Sequence, residues 1–297
     1  MGTPRYDILA VDIDGTLVDH TGKVHPRSIA AIAHARAAGM TVVLCTGRAL
    51  IECRTVITAI QQTDPVIVSG GSIVSDPVSG KTLERFSMER PLVDRITAHL
   101  LKHNHAALLL KDSHATGYDY TVISPRGPEA LDPASRWWFD HMGVTCRFAT
   151  SIDLDEHPEH TVRVGAYSAN TPVDALATEL HELFFTEVML QHFTGVLLPQ
   201  ERRDQGIESV HIIELFNPLA DKWQALSRLA QRMNIPLSRT AAIGDQTNDL
   251  TMIQNAGLGI AMANANPKVL AAAKKQVSRV EEGGVGEAIE MMLSGEW

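Results

Sequence analysis

The chain has 297 residues and a formal net charge of −9 at pH 7. This length is sufficient for two domains, and the negative charge opposes nonspecific binding to nucleic acid or anionic membranes. The sequence has no run of about eighteen apolar residues and no signal-peptide pattern at its start. We therefore expect a cytoplasmic protein without nucleic-acid or membrane partners, either a monomer or a small homo-oligomer.

The first predicted strand leads directly into a pair of carboxylates. Ile8–Val11 is an apolar run, and Asp12 and Asp14 follow it with Gly15 beside them. In a parallel sheet the carboxyl ends of the strands form the crevice where ligands bind, and an acidic pair there would hold a hard cation or attack an electrophile. A solvated turn with a capping aspartate has the same residue pattern. This segment alone does not decide between the two interpretations.

Three later segments repeat the pattern of a short apolar strand that ends in a polar residue beside glycine. They are Thr41–Arg48, Val66–Gly71 and Ala241–Asp245. Between the first two predicted strands, Arg27–Gly39 has apolar residues at helical spacing and a glycine at its end. Strands joined by helices indicate an α/β fold with a doubly wound parallel sheet. The polar strand ends would converge on one edge: Asp12, Asp14, Thr46, Ser69 and Asp245.

Charged residues in the last part of the chain extend this predicted site. Asp245 ends a strand, and a third carboxylate beside Asp12 would be repelled unless a cation lies among them. Because no His or Cys cluster lies near these oxygen ligands, the sequence favours magnesium over zinc. Lys222 opens a predicted helix, where a positive charge opposes the helix dipole. That position is more favourable if the lysine serves an anion.

The middle of the chain has a different pattern, with helices and strands mixed. We predict a helix over Leu92–Lys102 and an α+β insert over residues 82–215, which leaves 1–81 and 216–297 as the core. The crossings near Thr82 and Asn217 are the hinge candidates. The predicted strands are Ala106–Leu110, Tyr118–Ile123, Thr161–Tyr167, Glu187–Gln191 and Val210–Leu215. His99, His103 and His105 are interpreted as surface histidines, because the sequence indicates no carboxylate partner, and Glu201–Asp204 as a solvated loop.

Four motifs together carry a resemblance to a known family. They are, in order, Asp12-Ile-Asp14-Gly15-Thr16, Thr46-Gly47-Arg48, Lys222, and Gly244-Asp245-Gln246-Thr247-Asn248-Asp249. Each motif alone has limited specificity, but all four in this order and spacing are a strong signal. The chain resembles the Cof-type phosphatases of the haloacid dehalogenase (HAD) superfamily. The resemblance implies a HAD-like core with an inserted cap domain that selects the leaving group, and hydrolysis of small phosphomonoesters such as sugar phosphates with Mg²⁺.

The resemblance also implies residue roles. Asp12 would be the nucleophile that forms an aspartyl-phosphate, and Asp14 would protonate the leaving alcohol and then activate water. Mg²⁺ would be held by the Asp12 side chain, the Asp14 backbone carbonyl and Asp245. The remaining implied roles are phosphate binding by Thr46, Gly47, Lys222 and Asn248, with Asn248 and Asp249 supporting the metal waters and the lysine.

Three positions depart from the family pattern, and two other functions remain open. Ser69 stands where asparagine is common, Trp223 where glycine follows the lysine, and Ala263 where glycine precedes Asn264. A phosphomutase-like phosphoryl transferase would share the aspartyl-phosphate step but protect it from water. A noncatalytic binding relative would bind ligand without turnover, although intact Asp12 and Asp14 argue against it.

Overall fold

The computed structural model describes residues 5–194 and 206–297, and the predicted Glu201–Asp204 loop lies outside these ranges. The chain divides into a core unit, Met1–Glu84 with Asp221–Trp297, and an inserted unit, Arg85–Ala220. Both boundaries fall a few residues later than the predicted ones. The physical reason is strand pairing, because Thr82–Arg85 joins the sheet of the core unit and Val210–Phe216 joins the sheet of the inserted unit.

The first part of the core unit alternates short buried strands with helices. Helix α1 begins at Pro26, a residue favoured in the first turn, and the His25 ring nitrogen Nδ1 accepts a hydrogen bond from Arg27 N at 3.2 Å. The elements are β1 (Ile8–Val11), α1 (Pro26–Ala37), β2 (Thr41–Cys45), α2 (Arg54–Ala59), β3 (Val66–Val68), β4 (Ile73–Ser75) and β5 (Thr82–Arg85).

The inserted unit is an α+β structure around a six-stranded sheet of order β10-β11-β9-β6-β7-β8. Its elements are α3 (Arg90–Lys102), β6 (Ala107–Lys111), α4 (Ser113–Thr116), β7 (Tyr120–Ile123), α5 (Pro133–Met142), β8 (Cys146–Ala149), β9 (Thr161–Ala169), α6 (Asp174–Phe184), β10 (Met189–Thr194) and β11 (Val210–Phe216). Strand β8 was not predicted, because none of its four residues is fully buried and its sequence has no apolar run. Helices α3 and α6 contribute to one apolar cluster with the sheet.

The chain then returns to the core unit and completes its sheet. The elements are α7 (Lys222–Arg232), β12 (Thr240–Gly244), α8 (Leu250–Asn255), β13 (Leu258–Met262), α9 (Pro267–Ala272), β14 (Lys275–Val277) and α10 (Gly284–Ser294). The eight strands have the order β14-β13-β12-β1-β2-β3-β4-β5. Adjacent strands from β14 to β3 pair in parallel, and β4 is antiparallel to β3. The predicted α/β class is therefore confirmed.

The register of the central strands determines where the site lies. In β1, Val11 is paired with Leu44 of β2 and with Ile243 of β12. Because the three strands run in the same direction, the polar residues that follow them lie at one edge of the sheet. Within the described ranges, no helix is long and apolar enough to cross a membrane.

Candidate active site

Asp12 directly follows β1, a strand that is buried along its whole length. Its backbone N donates to Ile243 O at 3.0 Å, which continues the parallel ladder by one residue and fixes the start of the turn. The carboxylate is buried, and Asp12 Oδ1 accepts a hydrogen bond from Lys222 Nζ at 2.6 Å. The second carboxylate on this ammonium is Asp249, whose Oδ1 is also 2.6 Å from Nζ. One buried lysine thus joins two carboxylates from distant parts of the chain.

The start of α7 brings Lys222 to this position. Asp221 caps the helix by accepting from Gln224 N at 2.7 Å. Gly71, with φ of 106°, lets the helix start approach the end of β3, because a Cβ there would lie 2.4 Å from the Asp221 carbonyl. The Lys222 side chain is only 1% exposed. Burial alone would lower its pKa, but the two adjacent carboxylates outweigh that effect and raise the pKa above its usual value.

Asp245 and Asp249 are held by the turns around them. Asp249 Oδ2 accepts from the backbone N of Asp245 and of Gln246, both at 3.0 Å. Asp245 Oδ1 accepts from Thr16 Oγ1 at 2.9 Å. Gly15 has a left-handed φ of 76°, and a Cβ there would lie 2.5 Å from Asp245 Oδ2. The turn after β1 therefore packs directly against the Asp245 carboxylate.

The site carries more negative than positive charge. Carboxyl oxygens of Asp12, Asp245 and Asp249 lie within 4.8 Å of one another, and all three residues are buried. Burial, then the negative charge of Asp249, raises the pKa of Asp12. Burial also raises the pKa of Asp245 to about 6. A hard divalent cation would relieve this repulsion, and oxygen ligands are those that Mg²⁺ prefers.

The three carboxylates differ in the groups that they already contact. Asp249 has one oxygen on Lys222 and the other on two backbone amides. Its two oxygens are therefore committed to holding the lysine and the turn. Asp12 and Asp245 fit a cation better, and Asp249 fits the supporting role that the resemblance implies.

Asp14 does not join this cluster through its side chain. The side chain is 46% exposed, and both carboxylate oxygens accept from Arg48, one from Nε at 2.9 Å and the other from Nη2. Arg48 also donates through Nη1 to the carbonyl of Glu52 at 3.1 Å. Sequence reasoning gave Arg48 no role. Its position could have indicated a role, because it directly follows Thr46-Gly47 at a strand end.

The other predicted phosphate-binding residues lie on the adjoining turns. Thr46 is buried at the end of β2, where its carbonyl accepts from Gly70 N at 2.9 Å and its Oγ1 accepts from Arg48 N at 3.2 Å. Gly47, partly exposed, follows it. Asn248 lies just before Asp249, and its Oδ1 is buried without a hydrogen-bond partner in the described part of the chain.

The three residues that depart from the family pattern lie in different local environments. Ser69 has a left-handed φ of 53°, a conformation that asparagine adopts more readily than serine. Its buried Oγ has no hydrogen-bond partner among the described residues. Trp223 and Ala263 are both partly buried. Next to Ala263, Asn264 Nδ2 donates to Gly15 O at 2.9 Å, which ties the segment after β13 to the turn that carries Asp14.

Comparisons with known proteins place the chain in a family. The profile of the haloacid dehalogenase-like hydrolases matches residues 9–289. The chain belongs to this family. Phosphatase YwpJ of Bacillus subtilis is 26% identical over 310 residues, which cover 96% of this chain and 99% of that protein. Pyridoxal phosphate phosphatase YbhA of Escherichia coli is 24% identical and covers 90% and 91%. The resemblance inferred from the four motifs is confirmed.

Solved structures agree with the fold of this HAD-family hydrolase. A haloacid dehalogenase-like hydrolase from Bacteroides thetaiotaomicron matches with a TM-score of 0.77 and 20% identity, over 97% of this chain and 99% of that one. At 20% identity this match shows similarity of the fold alone. The matched residues belong to both the core unit and the inserted unit.

Proposed function

We propose that this HAD-family phosphatase hydrolyses small phosphomonoesters, sugar phosphates among them, through an aspartyl-phosphate on Asp12. The observation that carries the proposal is the buried Lys222 joining Asp12 to Asp249 beside Asp245, at the carboxyl edge of a parallel sheet. A strand end of this kind presents the nucleophile to the crevice, and the lysine supplies positive charge for phosphate oxygens.

In the first step, an Asp12 carboxylate oxygen attacks phosphorus, and the bond from phosphorus to the ester oxygen breaks. Asp14 gives its proton to the departing oxygen, so that the product leaves as an alcohol. In the second step, water attacks phosphorus and transfers a proton to Asp14, and the bond from phosphorus to Asp12 breaks. Inorganic phosphate leaves, and both aspartates return to their starting forms.

These two reaction steps require Asp14 to change its hydrogen-bond partners. Both of its oxygens accept hydrogen bonds from Arg48, whereas the acid role needs one of them to carry a proton that points to the substrate. We propose that substrate binding opens this ion pair. Asp14 is half exposed and lies on a turn, and it can therefore move without disturbing the buried cluster.

Mg²⁺ would be held by the Asp12 side chain, the Asp14 backbone carbonyl and Asp245, where it would neutralise charge on the phosphate oxygens. Thr46, Gly47, Lys222 and Asn248 would bind those oxygens. Chelation should abolish turnover, and Mg²⁺ should restore it. Ca²⁺ should inhibit, because its longer and looser coordination spoils the alignment of nucleophile and phosphate. Unchanged turnover after exhaustive chelation would contradict the metal assignment.

The nucleophile is tested by Asp12→Asn, with release of inorganic phosphate as the readout. We expect activity to fall at least about 100-fold, about 2.7 kcal/mol in barrier height, while the circular dichroism spectrum stays unchanged. Asp140→Asn, at an exposed aspartate of α5, is the matched control and should keep full activity. Phosphate release from a simple ester by the wild-type protein also separates a phosphatase from a phosphomutase or a noncatalytic relative.

We further propose that the inserted unit acts as a cap that selects the leaving group. Every residue with a proposed chemical role belongs to the core unit. A shortened chain in which a Gly-Ser linker joins Glu84 to Asp221 should still hydrolyse p-nitrophenyl phosphate. Its relative kcat/KM values across sugar phosphates and pyridoxal phosphate should become nearly equal. A folded, shortened protein with the full-length rank order would show that specificity lies in the core unit.

A further inference from the structure

The inserted unit contains a cluster of possible metal ligands that the sequence did not reveal. His99 lies on α3, and His103 follows the last residue of that helix, one turn further along. The sequence indicated no carboxylate partner for these two histidines, and that expectation was wrong. Glu179 on α6 places Oε1 3.4 Å from His99 Nε2 and Oε2 3.1 Å from His103 Nε2. The packing of two helices thus brings two imidazoles and a carboxylate together.

The spacing of these atoms suits a small divalent cation. All three ligand atoms lie within 4.8 Å of one another. A tetrahedral metal with bonds of about 2.0–2.1 Å holds its ligand atoms roughly 3.3 Å apart. The two nitrogen–oxygen distances, 3.4 Å from His99 to Glu179 Oε1 and 3.1 Å from His103 to Glu179 Oε2, are close to that value. The cluster would supply three ligands and leave a fourth position for water.

His99 Nε2 is not satisfied by a hydrogen bond. Its side chain is 11% exposed, and Nε2 is buried without a hydrogen-bond partner in residues 5–194 and 206–297, although Glu179 is close. A buried imidazole nitrogen without a partner is unfavourable. A cation bound by the Nε2 lone pair would satisfy this atom, and the same cation would neutralise the Glu179 carboxylate without requiring either histidine to be protonated.

We propose that His99, His103 and Glu179 form a binding site for a borderline divalent cation of the zinc class. Two imidazoles and one carboxylate favour Zn²⁺, Co²⁺ or Ni²⁺ over Mg²⁺ and Ca²⁺, which prefer oxygen ligands alone. The site shares no residue with the proposed catalytic cluster and does not depend on the proposed function. Its bound ion would connect α3 to α6, two helices whose apolar residues belong to the same core cluster of the inserted unit.

The experiment measures metal binding directly on the full-length protein. Protein stripped with a chelator is dialysed against ZnCl₂ in excess Mg²⁺, which competes with zinc for the acidic cluster of the core unit. We expect one zinc per chain, a higher Tm with zinc, and visible absorption typical of tetrahedral coordination when Co²⁺ replaces zinc. Asp245→Asn should bind zinc equally well, because that residue belongs to the core cluster.

Glu179→Gln and His103→Gln are the test variants, since both side chains are partly exposed and neither belongs to the apolar core. Each should weaken zinc binding by about 10- to 100-fold or more, because loss of supporting contacts alone has effects of that size. His181→Gln, on the same helix α6, is the matched control and should bind like the wild type.

Two results would overturn the proposal. One is zinc binding of equal affinity in the wild type and in both test variants. The other is wild-type binding no tighter than that of a variant that carries both Glu179→Gln and His103→Gln. If a variant unfolds, the ring nitrogen signals of His99 and His103 in the wild-type protein are followed by NMR during zinc addition. A shift of both Nε2 signals is expected, and unshifted signals at one equivalent of zinc would exclude the site.

Discussion

Lys222→Met should destabilise the metal-free protein by ~3–5 kcal/mol, the usual cost of removing one partner from a buried ion pair. The lysine side chain is 1% exposed and contacts two carboxylates at 2.6 Å. Each contact represents about 6 kcal/mol of gross attraction at an effective dielectric constant of ~20. Much of that attraction is offset by the desolvation of the ammonium, which methionine does not require. The remaining cost arises because the Asp12 and Asp249 carboxylates stay buried without the cation that they contact.

The assay is urea unfolding followed by circular dichroism in the presence of a chelator, on a double-mutant cycle with Asp249→Asn. The double variant should lose at least about 1 kcal/mol less free energy of unfolding than the two single variants together. The reason is that Asp249→Asn removes one of the carboxylates that Lys222→Met leaves unpaired. Mg²⁺ should recover more stability in Lys222→Met than in the wild type. Lys268→Met, at an exposed lysine of α9, is the control and should stay within about 0.5 kcal/mol. A loss below about 1 kcal/mol for Lys222→Met, or additivity in the cycle, would refute this account of the buried charges.

Three further changes test other parts of the molecule. Arg48→Lys should not lower kcat for an alkyl phosphate, because lysine cannot form the two-contact pair that has to open before Asp14 can donate its proton. The rate for p-nitrophenyl phosphate should change little, since a good leaving group needs little protonation, and a loss of about tenfold for the alkyl phosphate would contradict the proposed opening. Lys111→Met should cost ~3–5 kcal/mol in urea unfolding, because the Asp155 oxygen 2.6 Å from its ammonium would remain buried without a cation. Adding Asp155→Leu should recover part of that loss. Burial lowers the pKa of His105 below 6.5, so the unfolded chain takes up this proton first as the pH falls. The stability that the uncharged ring contributes is therefore complete above pH 6.5 and decreases as the pH falls towards the pKa of the folded state. NMR titration should give the lowered pKa, and His105→Gln should flatten the dependence of Tm on pH in that range. A pKa at or above 6.5 would contradict this prediction.

The α/β class and the order of the polar strand ends could be predicted from local patterns in the sequence. Local apolar runs define the strands, and the helices between them require parallel pairing. Parallel strands in register then bring their carboxyl ends to one edge, so that Asp12, Thr46 and Asp245 follow from the chain order and the strand bounds. The family resemblance was carried by the same residues, because the strand ends are where the motifs lie.

Contacts between side chains of different elements could not be predicted in this way and are seen in the three-dimensional structure. Periodicity shows that a helix has a buried face, but it does not specify which residue of another helix lies opposite. The pairing of Arg48 with Asp14 depends on the path of two turns, and the approach of Glu179 to His99 depends on how two helices pack on one sheet. Such contacts depend on the relative position and rotation of whole elements, which many long-range apolar contacts determine together and no local pattern records.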